Sequence, residues 1–385
     1  PSPVFTPMKL TLLPSTFVAA AALLCASQSA LALERQDANF KIFQFPPDKI
    51  PQIDGKADDW AIVPDDYIIG TDQLHGDSGA ALGKTPDPKS LDVKMRIGWV
   101  KGLNRLYILY AGYDNYWDFS RPGLTNDTFE LAVDGDRSGG SFIDRFHPDG
   151  DPSKATADGK SIPARDGWFN YQGNQAQNYH IFVPAEGKDW CMAWGPQAAW
   201  IKKLPYSNVA YSYTVKPGEA GRVTMELWIT PFDYAAAEGP GRSIESNLTE
   251  NKIIGMAWAI MDYDDVNSGA HSFWNLSPKH TMFGKAEELC AFKLMPLEPK
   301  FRKPIEADWS FKVLDLDRRV VAFEDESTTT GKITSWKWDF GDGQTSTEQH
   351  PVHTYAKNGQ YVVVLNIEGS EGKSRRSKVW DVTLR

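Results

Sequence analysis

Apolar and polar residues alternate with a period of two in four separate stretches of the first three quarters of the chain. Val93, Met95, Ile97 and Trp99 alternate with Lys94, Arg96 and Gly98, and Phe129, Leu131 and Val133 alternate with Glu130, Ala132 and Asp134. Val223, Met225, Leu227 and Ile229 form a third row, and Ile254, Met256, Trp258 and Ile260 a fourth. Successive side chains of a strand point to opposite faces, so each row predicts a strand with one buried face. Opposite the fourth row lie Gly255, Ala257 and Ala259, small enough for another layer to approach closely. Helical periodicity is scarce, with Tyr234 to Glu238 at best a turn or two. The pattern predicts an all-β fold, a large antiparallel β-sandwich of jelly-roll type over residues 40–295. Two stretches break the alternation: Thr71 to Ser90 and Ser141 to Gln177 are rich in Gly, Asp, Pro and Ser, as expected of long loops that carry binding surfaces.

Residues 296–307 contain Pro296, Pro299 and Pro304 among Lys300, Arg302 and Lys303, the composition of a linker. Beyond it, Phe311, Val313, Val320 and Ala322 open a second β-rich segment over 308–385, long enough for a small immunoglobulin-like sandwich. At the other end, Met8 and Lys9 precede an apolar run from Leu10 to Ala26, followed by Ala30-Leu31-Ala32. This order is that of a secretory leader and its cleavage site over residues 1–32, and it predicts a secreted, periplasmic or cell-surface protein with no membrane insertion once the leader is removed.

The 385 residues carry a net charge of -9 with 12% aromatics. An acidic balance argues against nucleic acid as a partner, because phosphate binding needs a surplus of Lys and Arg. This aromatic content, with 31 Gly and 25 Pro, favours a β-rich architecture with many turns. Downstream of the leader only Cys191 and Cys290 remain, and they are read equally as a disulfide or as two buried thiols. No Cys/His spacing for zinc occurs.

In the carboxy-terminal segment, Trp336, Trp338 and Phe340 alternate along a strand that ends in Gly341-Asp342-Gly343, and His353-Thr354-Tyr355 follows. Tyr361, Val363, Leu365 and Ile367 are assigned to the opposite sheet. The run Trp338-Asp339-Phe340-Gly341-Asp342-Gly343 with His353-Thr354-Tyr355 resembles a polycystic kidney disease (PKD) domain. The resemblance implies a spacer, adhesion or substrate-contact module; Asp339 and Asp342 are themselves read as turn carboxylates accepting backbone N–H groups, with metal ligation as the alternative.

In the larger segment the ordered motifs are Ile53-Asp54-Gly55 to Trp60, Leu106 to Ala111 with Asp114, Asn126 to Asp134, Val223 to Ile229, Ile254 to Asp262, Trp274 and Phe283-Gly284. In order and spacing they resemble a family 9 carbohydrate-binding module. The resemblance implies a sandwich that binds calcium structurally and grips a polysaccharide or oligosaccharide between two Trp rings. The residues expected at the sugar are Trp117 and Tyr116, Glu130, Tyr179 and Trp274. Leu124 stands where the family's first Trp is expected, and Tyr179 and His180 lie where it has an arginine. For calcium, Asp134 and Asp136 sit on the glycine-shaped turn Asp134 to Gly140, with Asp114 and Asp127 joining from neighbouring loops.

The expected function is a secreted, non-catalytic carbohydrate-binding protein with the PKD domain as spacer or adhesion module. Three alternatives stand beside it. Glycoside hydrolysis would need facing carboxylates, for which Glu130 and Glu226 are the pair on predicted strands. A b-type haem electron-transfer sandwich would draw on Met192, Met256, Met261, His180 and His271. A structural or adhesive surface protein would need no ligand at all.

Overall fold

The computed structural model describes residues 33–77, 81–121, 123–139, 173–194, 199–264 and 271–382. The leader read over 1–32, and most of the loop Ser141 to Gln177, lie outside the described residues. Among the described residues there is no α-helix, only single 3₁₀ turns such as Asp58–Ile62, and no helix is long and apolar enough to cross a membrane.

In chain order the larger domain contains β1 (Phe40–Gln44), β2 (Ile69–Gly70), β3 (His75–Gly76), β4 (Leu91–Val100), β5 (Leu103–Asp114), β6 (Thr128–Asp134), β7 (Gln177–Phe182) and β8 (Cys191–Trp194). It continues with β9 (Ser207–Tyr213), β10 (Gly221–Ile229), β11 (Phe232–Tyr234), β12 (Ile244–Glu245), β13 (Ile253–Asp262), β14 (Ser272–Asn275) and β15 (Cys290–Leu294). One sheet runs β8-β7-β6-β13-β15-β1, with β14 beside the far half of β13 and β3 beyond it; the other runs β1-β4-β5-β10-β9. Strand β1 belongs to both: Phe40–Ile42 lie parallel to β15, and Phe43–Gln44 parallel to β4. The other pairings between these strands are antiparallel.

All four alternating rows point into the space between the sheets, where Phe129, Leu131, Val133, Met256, Trp258, Val93, Met95, Val223 and Leu227 share one core. The small face of β13 is approached by a second layer: a Cβ on Gly255 would lie 3.2 Å from Leu289 and 3.3 Å from Leu33. From Met225 to Ile229, strand β10 is buried on both faces. A cluster of Phe43, Phe45, Trp60, Tyr67, Tyr107, Leu109 and Trp228 covers the second sheet from outside, held by the segment between β1 and β2.

The two thiols are free and buried. Cys191 and Cys290 sit on β8 and β15, four strand spacings or about 19 Å apart, so of the two sequence readings the disulfide is excluded by distance.

The smaller domain adds β16 (Ile305–Glu306), β17 (Trp309–Asp315), β18 (Val320–Asp325), β19 (Thr328–Thr329), β20 (Ile333–Asp339), β21 (Thr345–Ser346), β22 (Val352–Thr354), β23 (Gly359–Gly369) and β24 (Gly372–Val382). Sheets β17-β18-β22 and β21-β20-β23-β24 enclose Trp309, Phe323, Trp338, Phe340, Tyr355, Val363 and Leu365. Val363, Leu365 and Ile367 lie on β23, beside β20 in the same sheet, which corrects their assignment to the opposite one. Asp339 accepts from Gly341 N–H, and Asp342 accepts from Gln344 N–H, 2.8 Å from His353 Nε2, as turn carboxylates do. Gly341 and Gly343 adopt φ of +78° and +88°, where a Cβ is strained.

Candidate functional site

Register decides which side chains of the first sheet leave the core. Glu130 is opposite His180 on β7 and Ala259 on β13, and Ala259 is opposite Asn275 on β14. The row Asn275, Ala259, Glu130, His180 therefore lies on one face, away from Phe129, Leu131 and Trp258. Asn178 and Phe273 share that face through their neighbours Ala132 and Met261. Glu130 Oε1 accepts from Asn178 Nδ2 at 2.8 Å and lies 3.6 Å from His180 Nε2. Burial pushes the Glu130 carboxyl up to about 7, against the pull of the Asn178 hydrogen bond, with the charge of Asp77 adding to the rise.

These polar groups are at most 5% exposed, and Phe273 is half-buried beside them. Among the described residues neither amide atom of Asn275 has a hydrogen-bond partner, and Asn178 Oδ1 has none. A buried amide left unpaired costs on the order of 1–3 kcal/mol per group. Ala259 keeps the space between Asn275 and Glu130 low, and two strand spacings, about 10 Å, separate the flanking residues.

A second cluster lies at one end of the space between the sheets. Carboxylate oxygens of Asp114, Asp127 and Asp262 all lie within 4.8 Å of one another, each residue buried. Asp127 accepts from the backbone N–H of Asp118 and of Tyr263, at 2.6 and 2.9 Å, and Asp114 from Tyr116 N–H at 2.9 Å. Asp262 Oδ2 accepts from Trp274 Nε1 at 3.1 Å, while Oδ1 has no partner among the described residues. Burial drives all three carboxyls upward, Asp114 to about 8 and Asp262 to about 7, and their mutual charge reinforces the rise at Asp114 and Asp127. Three hard oxygen donors, one of them orphaned, fit a calcium ion.

The structure redraws the residues expected from sequence. Trp117 is a core residue, 1% exposed, its Nε1 donating to Gly221 O at 3.0 Å, and it presents no face to a sugar. Trp274 points inward, opposite Ile260 and 9% exposed, and Tyr179 is fully buried opposite Leu131. Both are displaced by one residue from the polar face: Phe273 and Asn275 occupy it beside Trp274, and Asn178 and His180 beside Tyr179. Tyr116 is half-buried with its ring beside Gly218, in the loop after β5. Glu130 alone of the five stands on the polar face.

The proposed metal quartet separates. Asp114 and Asp127 meet, but Asp134 lies at the far end of β6, seven residues or about 23 Å from Asp127. Asp134 accepts from Arg137 and Gly139 N–H, and Asp136 from Ser138 N–H, so these two carboxylates close their own turn. Asp262, which sequence reasoning left out, takes the third place; its signal was a carboxylate closing the apolar row of β13. Asn178 and Asn275 were also left out, although each is a polar residue inside a strand.

The hydrolase pair does not form. Glu226 is on the second sheet, fully buried, where Oε2 accepts from the N–H groups of Asp54, Gly55 and Lys56 and Oε1 from Trp60 Nε1. It anchors the outer aromatic layer. His180 and Met192 are cross-strand neighbours, side by side where the two axial ligands of a haem must stand on opposite sides of the iron.

Comparison with known proteins gives matches to two parts of the chain. Residues 307–384 match the family model "PKD domain". Collagenase ColQ1 of Bacillus cereus (strain Q1) is 52% identical over 48 residues, 12% of this chain and 5% of the collagenase. The microbial collagenase of Vibrio alginolyticus is 48% identical over 54 residues, 14% of this chain and 7% of that protein. The chain thus spans only a small fraction of the curated relatives it matches. Among solved structures, the PKD1 domain of Vibrio cholerae metalloprotease PrtV is 34% identical, covering 21% of this chain and 98% of its own at a TM-score of 0.19. A family 9 carbohydrate-binding module from Caldicellulosiruptor kristjanssonii, in complex with cellotriose, is 12% identical, covering 68% of this chain and 96% of its own at a TM-score of 0.40. The chain carries a PKD domain at residues 307–384, preceded by an all-β sandwich that has family 9 carbohydrate-binding modules among its structural neighbours.

Proposed function

We propose that this is a secreted, non-catalytic carbohydrate-binding protein, with Glu130, Asn178, His180 and Asn275 as the buried polar row beneath its sugar site and Phe273 as the half-buried aromatic border. The observation that carries the reading is the buried amide of Asn275, unpaired at both atoms among the described residues and facing Glu130 across Ala259. A sugar ring offers vicinal hydroxyls, each both donor and acceptor, which are the partners such a row lacks. Asp114, Asp127 and Asp262 would hold a structural calcium that neutralises three crowded carboxylates and ties β5, β6 and β13 together. The PKD domain serves as spacer or adhesion module. The leader read over residues 1–32 and the collagenases among the relatives both favour an extracellular setting.

Isothermal titration of the protein with glucose, cellotriose and xylotriose, with and without EDTA, tests the reading. Binding that is lost in Asn275→Ala and in Glu130→Gln, each shown to be folded, is the expected result. Full affinity in both variants would overturn the assignment of the site, and silence toward a broad glycan panel would overturn the function.

A further inference from the structure

The proline-rich segment between the domains is anchored along its length. Trp99 Nε1 donates to Met295 O at 3.0 Å, the Tyr67 hydroxyl donates to Glu298 Oε1 at 3.0 Å, and Phe301 packs edge-on against Phe43 with ring centroids 6.1 Å apart. On the PKD side, Thr330 N–H donates to Pro304 O at 3.0 Å, and β16 pairs with β19. The seam these contacts fix contains a groove of about 320 Å³, reaching from Gln44 at the end of β1 to Thr328 and Arg376 of the PKD domain. That volume is at the lower end of small-ligand sites.

Gln44 lines this groove and is 5% exposed, and among the described residues its side-chain carbonyl has no hydrogen-bond partner. Cationic and acidic side chains line the groove in equal number, Arg376 and Glu326 among them, so an ion of either sign gains little there. Hydroxyls of Thr328 and Thr330 add further polar atoms, and Leu297 supplies an apolar margin. Many donors and acceptors, no net charge and a short apolar edge are complementary to a neutral, hydroxyl-rich chain.

We propose that this groove is a second glycan site, taking a neutral oligosaccharide with contacts from both domains, so that the PKD domain takes part in recognition. The proposal rests on the glycan-binding function above and adds a site separate from the Glu130 row.

Titration calorimetry of the full chain with cellotriose and xylotriose tests it, comparing wild type, Glu130→Gln and the exposed pair Thr328→Ala/Arg376→Ala. Two sites are expected in wild type. Glu130→Gln is expected to keep the groove site, and the pair to weaken that site by about tenfold or more while leaving the other intact. A single site that vanishes in Glu130→Gln and is untouched in the pair would overturn the groove while leaving the first site standing. A single site lost only in the pair would keep the groove and overturn the first site. Equal or tighter binding of trigalacturonate at the groove would overturn the neutral-ligand assignment.

Discussion

Trp274 Nε1 donates to Asp262 Oδ2 at 3.1 Å, and among the described residues this is the one hydrogen bond to a carboxylate whose other oxygen has no partner. An indole that sequence pattern assigned to sugar stacking thereby becomes a support of the acidic cluster. Trp274→Phe keeps most of the ring but removes the donor, and it is expected to lower stability by about 1–3 kcal/mol in urea unfolding. Glycan affinity is expected to hold. A variant of wild-type stability with lost sugar binding would return Trp274 to the stacking role.

Calcium is expected to raise the thermal midpoint of wild type and EDTA to lower it, by an amount that grows with the logarithm of free calcium and reaches about 2.7 kcal/mol at a hundredfold excess over Kd. Asp262→Asn is expected to abolish the response, whereas Asp136→Asn, on the separate turn, retains it. A midpoint indifferent to both reagents would remove calcium from the account.

Glu130 has its folded-state carboxyl raised to about 7 by burial, from 4.5. The folded state then holds a proton that the unfolded state has released, so its stabilising effect is complete below about 4.5 and lost as pH rises through 7. The loss is on the order of 3 kcal/mol. Glu130→Gln, which carries no titrating group, is expected to flatten this part of the stability profile, measured by denaturant unfolding between pH 4.5 and 8. Asp77 and His180 remain in both proteins as common background.

Glu226 is expected to behave as a structural residue. Glu226→Gln replaces one of two oxygens that together take four donors with an amide that is itself a donor, costing about 2 kcal/mol or more. Polysaccharide affinity should be unchanged, and near-ultraviolet dichroism should report a loosened Trp60. Loss of a glycosidase activity in this variant, at unaltered stability, would revive the hydrolase alternative.

A further contrast concerns Trp117. Trp117→Ala is expected to cost about 3–5 kcal/mol, the range for deleting a large core side chain, with any loss of binding tracking loss of fold.

The alternating rows of β4, β6, β10 and β13 are written directly in the sequence, because a strand with one buried face needs a period of two and nothing else gives it. The PKD motif and the Pro-rich junction are equally legible. What the rows could not convey was the partner of each strand. Trp274 and Tyr179 look like site residues by type, yet pairing with Ile260 and Leu131 turns them inward and turns Phe273, Asn275, Asn178 and His180 outward. In a strand, an offset of one residue exchanges the faces completely. The Asp114–Asp127–Asp262 meeting is likewise tertiary, since it joins residues up to 148 positions apart through the closure of two sheets. Sequence determined the strands, their apolar faces and the domain that follows them, because these depend on local pattern; the placement of each polar side chain depended on register between distant strands, which only the folded chain fixes.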